Sequence, residues 1–247
     1  MRLGHAALVL YLAAHATTAS AERRLWARVA SPEPKDAVSF REAAYRALEE
    51  QQSALASRAA LEAVRRAPRS AESHVLLGHA RTLAGDYARA TESYEEALRL
   101  DEDALRDVRD ASWASRAAIH AEHWALAVHT LRVMTERLPK IPARTLAYSR
   151  LGDALQALGR DHLEAAMTAY RHALLDARGF LPSACVGLAL ALTRMGREDE
   201  ALGWLDRALD QASVDDLVEA TTGPSSEREA RRALLESRRR ALERGAR

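Results

Sequence analysis

Residues 71–103 read AESHVLLGHARTLAGDYARATESYEEALRLDED, a stretch that admits few folds. Two apolar-periodic segments, each about the length of a helix, flank a break at Gly85 and Asp86. Small residues stand at Gly78, Ala90 and Ala97, and bulky ones at Leu77, Tyr87, Tyr94 and Leu98. Two helices can therefore close into a hairpin, with small side chains at the contact and large ones filling the space around it. A unit of this size cannot bury both of its faces alone, so it must recur along the chain.

It recurs at a step of about 34 residues. The first unit, 37–70, carries Ala44, Ala56 and Ala63 where the clear unit, 71–104, has Gly78, Ala90 and Ala97, and Pro68 closes its second helix. Its turn at residues 50–53 has no glycine, which suits a terminal, atypical repeat. The third unit, 108–141, begins at Val108 after a short insertion near 104–107 and repeats the pattern with Trp124, Ala127, Leu131, Met134 and Pro139. At the small position of its first helix it has Ser115 rather than glycine. The fourth, 145–180, places Tyr148, Leu151, Gly152 and Leu155 in one helix and Ala166, Tyr170, Ala173 and Leu174 in the next, with a longer turn at 159–162. The fifth, 182–215, opens on Pro182, carries Leu188, Ala189, Leu192, Ala201, Leu205, Ala208 and Leu209, and closes its first helix with Gly196.

These units resemble tetratricopeptide repeats. The resemblance covers residues 37 to about 215 and implies an all-α protein: a right-handed α-solenoid of about five helical hairpins with a concave inner surface that binds extended peptides or helices. Carried over by register, the first helices would line that surface. They supply Arg41 and Tyr45; Glu72, His79 and Thr82; Arg109, Ser112, Arg116 and His120; Ser149, Asp153 and Gln156; and Thr193 and Arg194. Arg109 and Arg116 can take a carboxylate bidentately, or can pair with the neighbouring Asp107, Asp110 and Glu122. One branch of the family grips acidic carboxy-terminal peptides with lysines and asparagines. This chain has no asparagine and no lysine in these helices, which disfavours that mode.

Beyond Ser213 the pattern stops, and residues 216–247 read as a break followed by a capping helix. Thr221, Thr222, Gly223 and Pro224 form the break, and Ser226 with Glu229 predicts a capping box at the start of a helix running to about Arg244. Ala230, Leu234, Leu235, Ala241 and Leu242 would face the solenoid. The arginines Arg228, Arg231, Arg232, Arg238, Arg239, Arg240 and Arg244 read as a solvated outer face, with a site for an anionic partner as the alternative.

The amino-terminal end has a different character. Residues 1–21 combine Arg2, an apolar run over 6–14 and the small residues Ala19, Ser20 and Ala21, the pattern of a signal peptide cleaved after Ala21. The run is too short for a permanent membrane span, so a periplasmic or secreted protein is expected, with a cytoplasmic one as the alternative. Residues 22–36 hold Pro32 and Pro34 and read as a linker, with Trp26 its one large aromatic.

Chemistry is not written into the chain. A formal net charge of +1 offers no general attraction to nucleic acid or to an anionic membrane. Cys185 is the only cysteine and sits in an apolar run, which suits a buried hydrophobe. There is no phosphate loop, no HExxH and no GxSxG. His120 and His123 have a metal-sharing spacing but no third ligand near them. No enzyme activity, cofactor or metal is expected. The resemblance to tetratricopeptide repeats, together with the signal-peptide pattern, implies a non-catalytic scaffold for a protein or peptide partner in a bacterial cell envelope, or the accessory subunit of an enzyme complex, with the oligomeric state open.

Overall fold

The computed structural model describes residues 34–139, 142–177 and 181–245. The expected signal peptide, most of the linker and Trp26 lie outside the described residues. Among those described there are twelve α-helices, one short 3-10 turn and no strand. The first ten helices form five antiparallel pairs: α1 (Lys35–Glu49) with α2 (Ser53–Arg66), α3 (Ala71–Leu83) with α4 (Tyr87–Leu100), α5 (Val108–His120) with α6 (Trp124–Arg137), α7 (Ala143–Ala157) with α8 (Leu163–Asp176), and α9 (Pro182–Arg194) with α10 (Glu198–Leu209). Each second helix also packs on the first helix of the next pair, which makes the stack an all-α solenoid.

Local chemistry sets the helix starts. Ser70, Asp86 and Asp107 each accept a hydrogen bond from a backbone N–H of the first turn that follows, and Pro182 occupies the opening turn of α9. The turns share one backbone device: Gln51, Gly85, Glu122, Gly159 and Gly196 all have positive φ at the same place in successive hairpins. Glycine takes that conformation freely, whereas Gln51 and Glu122 hold it against steric strain.

Two glycine positions carry the packing inside the hairpins. A Cβ at Gly78 would come within 2.6 Å of the Tyr94 ring, and one at Gly152 within 2.5 Å of the Tyr170 ring. Gly187 of the next hairpin presses on Tyr170 from the other side, where a Cβ would come within 2.4 Å. Both tyrosines are fully buried, so small residues are needed for the rings to enter.

The end of the chain departs from the sequence expectation in two ways. The pattern does not stop at Ser213: a short helix, α11 (Val214–Glu219), follows, and the capping box forms there between Ser213 and Asp216. The last helix, α12 (Ser225–Gly245), packs on α9, α10 and α11. Leu235 is its buried apolar contact, whereas Leu242 is exposed. Arg231, read from sequence as part of a solvated face, is the largest fully buried side chain of the described residues.

Candidate functional site

The first helices form one wall of the stack. α1 packs on α3, α3 on α5 and α7 on α9, whereas α5 and α7 do not pack closely. A cleft of about 600 Å³ opens there. α5 lines it with Ser112, Trp113, Arg116, Ile119 and His120, the following turn adds Glu122, and α7 adds Arg150. The opposite side is the turn Thr221, Thr222 and Gly223, with Arg228 from the first turns of α12. The cleft thus lies between the solenoid and its own carboxy-terminal segment.

The residue that follows the small position of each first helix shows how this wall is used. In the second hairpin it is His79, buried, with Nδ1 2.8 Å from the Tyr94 hydroxyl and Nε2 2.9 Å from Asp110 Oδ1. With Asp110 as the acceptor, Nε2 carries the proton and Nδ1 receives the one from Tyr94. Thr82 donates to the Gly78 carbonyl and lies 3.3 Å from the same hydroxyl. Burial pushes the Tyr94 phenol far above its ordinary value.

In the fourth hairpin the residue is Asp153, fully enclosed. Its Oδ1 accepts from the Tyr170 hydroxyl and from Arg231 Nη2, both at 2.7 Å, and its Oδ2 accepts from the Thr222 N–H at 2.9 Å. Arg231 also donates to Thr221 Oγ1 and to the Tyr170 hydroxyl. Burial pushes the Asp153 carboxyl upward, opposed by the Arg231 charge and by the three donors. Despite the cost of its own burial, Arg231 is held above its ordinary value by the Asp153 carboxylate. This cluster draws the turn at 221–223 onto the solenoid.

In the third hairpin the same position holds Arg116, and Leu131 stands where the neighbouring hairpins have a tyrosine. No hydroxyl reaches the guanidinium, and it is exposed in the cleft. Among the described residues no ion pair or side-chain hydrogen bond engages Arg116, Arg150 or Arg228.

The other residues assigned to the concave surface fall into two groups. Arg41 is buried and bridges Ser70 and Glu72; Ser149 meets Ser183 across the hairpin boundary; Gln156 donates to the Gly187 carbonyl; and Arg194 pairs with Glu227. Thr193 donates to the Ala189 carbonyl of its own helix. Tyr45 is half-buried, its phenol raised first by burial and then by Glu72 and Asp110. The contacts of Arg41, Ser149, Gln156 and Arg194 join repeat to repeat or solenoid to cap. The second group, Arg109, Ser112, Arg116 and His120, is exposed on α5, with His120 stacked on Tyr87 at 4.4 Å. Of the three acids that offered Arg109 and Arg116 an alternative, two are engaged elsewhere, Asp107 capping α5 and Asp110 binding His79, and Glu122 lines the cleft with Arg116.

Arg150 and the 221–223 turn were not assigned to a site from sequence, and Arg228 only as one of the arginines that could meet an anionic partner. The available signal was Asp153 next to Tyr170, a buried acid that needs a cation from outside its own hairpin.

The pair His120 and His123 does not form a ligand set. His123 Nε2 lies 2.9 Å from Glu95, and no group of three or more metal-ligating side chains occurs among the described residues. Cys185 is buried, and burial raises its thiol. No described helix is long and apolar enough to cross a membrane.

Comparison with known proteins agrees with the geometry. Residues 71–103 match the family model of the tetratricopeptide repeat. Solved structures of MamA share the fold. One from AMB-1 is 22% identical with a TM-score of 0.57, covering 72% of this chain and 100% of that chain. A second from AMB-1 is 26% identical with a TM-score of 0.55, covering 72% and 94%. MamA from Desulfovibrio magneticus RS-1, residue 41 to its end, is 20% identical with a TM-score of 0.51, covering 73% and 99%. No curated protein matches the chain in sequence. Residues 71–103 thus carry a tetratricopeptide repeat, and the hairpins stacked on either side of it share the fold of the MamA structures.

Proposed function

We propose that this protein is a non-catalytic interaction scaffold that receives a segment of a protein partner in the cleft between α5 and the carboxy-terminal turn. The observation that supports this most is the contrast along the first helices. His79 and Asp153 are consumed by internal hydrogen bonds, whereas Arg116 between them is left open to the groove. A photo-crosslinking residue at Ser112, compared with one at the exposed Arg132 of α6, tests this in cells that make the protein. Protein adducts from position 112 and none from 132 are expected. Adducts from neither, or equally from both, overturn the reading.

We further propose that residues 1–21 are removed on export and that the scaffold works in the cell envelope. The support is the Arg2, apolar-run and Ala-Ser-Ala pattern. Amino-terminal sequencing of the mature protein checks it: a start at Glu22 in the periplasmic fraction is expected, and a start at Met1 in the cytoplasm overturns it.

A further inference from the structure

We infer that the cleft binds an internal, acidic stretch of a protein partner, its Asp and Glu side chains held jointly by Arg116, Arg150 and Arg228. This deepens the proposed function and rests on it. The three guanidiniums reach one concavity from three elements, α5, α7 and α12, and none is engaged within the described residues.

Elsewhere arginines are commonly paired: Arg144 with Asp176, Arg197 with Glu200, Arg232 with Asp215 and Arg238 with Asp206. In a chain whose formal charge is only +1, three unpaired cations in one recess form a local field that Glu122 alone opposes there. Walls of low dielectric concentrate such a field. The guanidinium fork matches a carboxylate with two parallel hydrogen bonds, and the start of α12 beside Arg228 adds the positive end of a helix dipole. Trp113 and Ile119 supply apolar surface for the methylene stems of acidic side chains.

The size of the recess favours peptide over nucleic acid. About 600 Å³ holds a few side chains, and no general positive charge exists to track a phosphate backbone. The cleft is also composite. Arg231, three residues after Arg228, is fixed to Asp153, so the solenoid and the cap must both be in place for the three cations to meet.

Fluorescence anisotropy on the purified full chain tests the inference. The probe is a fluorescein-labelled Glu-rich octapeptide with an amidated carboxy terminus. Matched Gln and phosphoserine peptides and a single-stranded DNA serve as comparisons. The Glu peptide should bind and the Gln peptide should not. Arg116→Gln and Arg228→Gln, each verified as folded by circular dichroism, should weaken binding by about tenfold, and Arg132→Gln should leave it unchanged. The inference is overturned if the Glu peptide binds no better than the Gln peptide, if neither cleft variant weakens it, or if only the phosphoserine peptide or the DNA binds. Adducts at position 112 that persist in both cleft variants, with no Glu-peptide binding, would remove this inference and leave the scaffold reading standing. Loss of adducts at 112 in the unaltered chain would remove the scaffold reading itself.

Discussion

The second and fourth hairpins solve one packing problem with different chemistry. Each sets a buried tyrosine against a glycine, Tyr94 on Gly78 and Tyr170 on Gly152, and each answers the hydroxyl with the residue after that glycine. In the second hairpin that residue is His79, satisfied by Asp110 of the adjoining hairpin. In the fourth it is Asp153, satisfied by Arg231 of the last helix. A histidine can be satisfied by a partner at a half-exposed edge, because its neutral form tolerates burial. A buried carboxylate demands a full counter-charge, and only a distant segment supplies it. One substitution of type at one register position therefore decides whether a hairpin merely meets its neighbour or recruits the cap across the groove.

The largest effect should separate the two junctions. Arg231→Ala strands the Asp153 carboxylate and is expected to cost about 3–5 kcal/mol, read as a drop in the denaturant midpoint. His79→Ala should cost less than that. Equal losses would show that charge is not what distinguishes the junctions. The next test asks whether the shared glycine–tyrosine contact is equivalent in both. Gly78→Ala and Gly152→Ala each force a ring that lies within 2.6 Å and 2.5 Å of the new Cβ to move, at a cost of about 1–3 kcal/mol. Thermal melts of the two variants should agree, and a silent Gly78→Leu would contradict the packing outright. Smaller again, Tyr94→Phe leaves His79 Nδ1 without its hydroxyl, a loss of about 1–2 kcal/mol. Tyr170→Phe removes a donor from Asp153 and an acceptor from Arg231, both charged, and should cost somewhat more, which a paired urea titration resolves.

The smallest effect concerns pH at the docked cap. The hydrogen bonds from Arg238 hold the Asp206 carboxyl below its ordinary value. A depressed carboxylate stabilises the fold above its unfolded pKa of about 4. That contribution disappears as pH falls through the lower folded value. Arg238→Gln should therefore flatten the stability profile below about pH 4 and leave its shape near neutrality unchanged.

Much of the solenoid is legible in the sequence because small and large residues recur at fixed spacing. Gly78, Gly152, Tyr94 and Tyr170 announce their contacts by position alone. The concave surface is less legible. Register places His79, Arg116 and Asp153 on the same wall, and it does not say which of them a tyrosine hydroxyl will claim. Leu131, in place of tyrosine, offers Arg116 no hydroxyl, and it lies in the other helix of the hairpin. Arg231 was hidden for a related reason. On a helix as rich in arginine as α12, one buried guanidinium carries no periodic mark, and its partner lies in another hairpin. The short helix α11 was missed because six residues are too few for a period to show.

The reach of the Asp153–Arg231 pair also bears on how the molecule comes apart. Most bonds between hairpins join residues about one repeat apart, 31 for His79 to Asp110 and 34 for Ser149 to Ser183, whereas this pair spans 78. A stack held by neighbours alone loosens from its ends one hairpin at a time. The long tie fastens α7 to α12 with α9 packed between, so that end should open as a single block, while α1 and α2 fray independently. Backbone amides in α7, α9 and α12 would then exchange with solvent at one shared free energy.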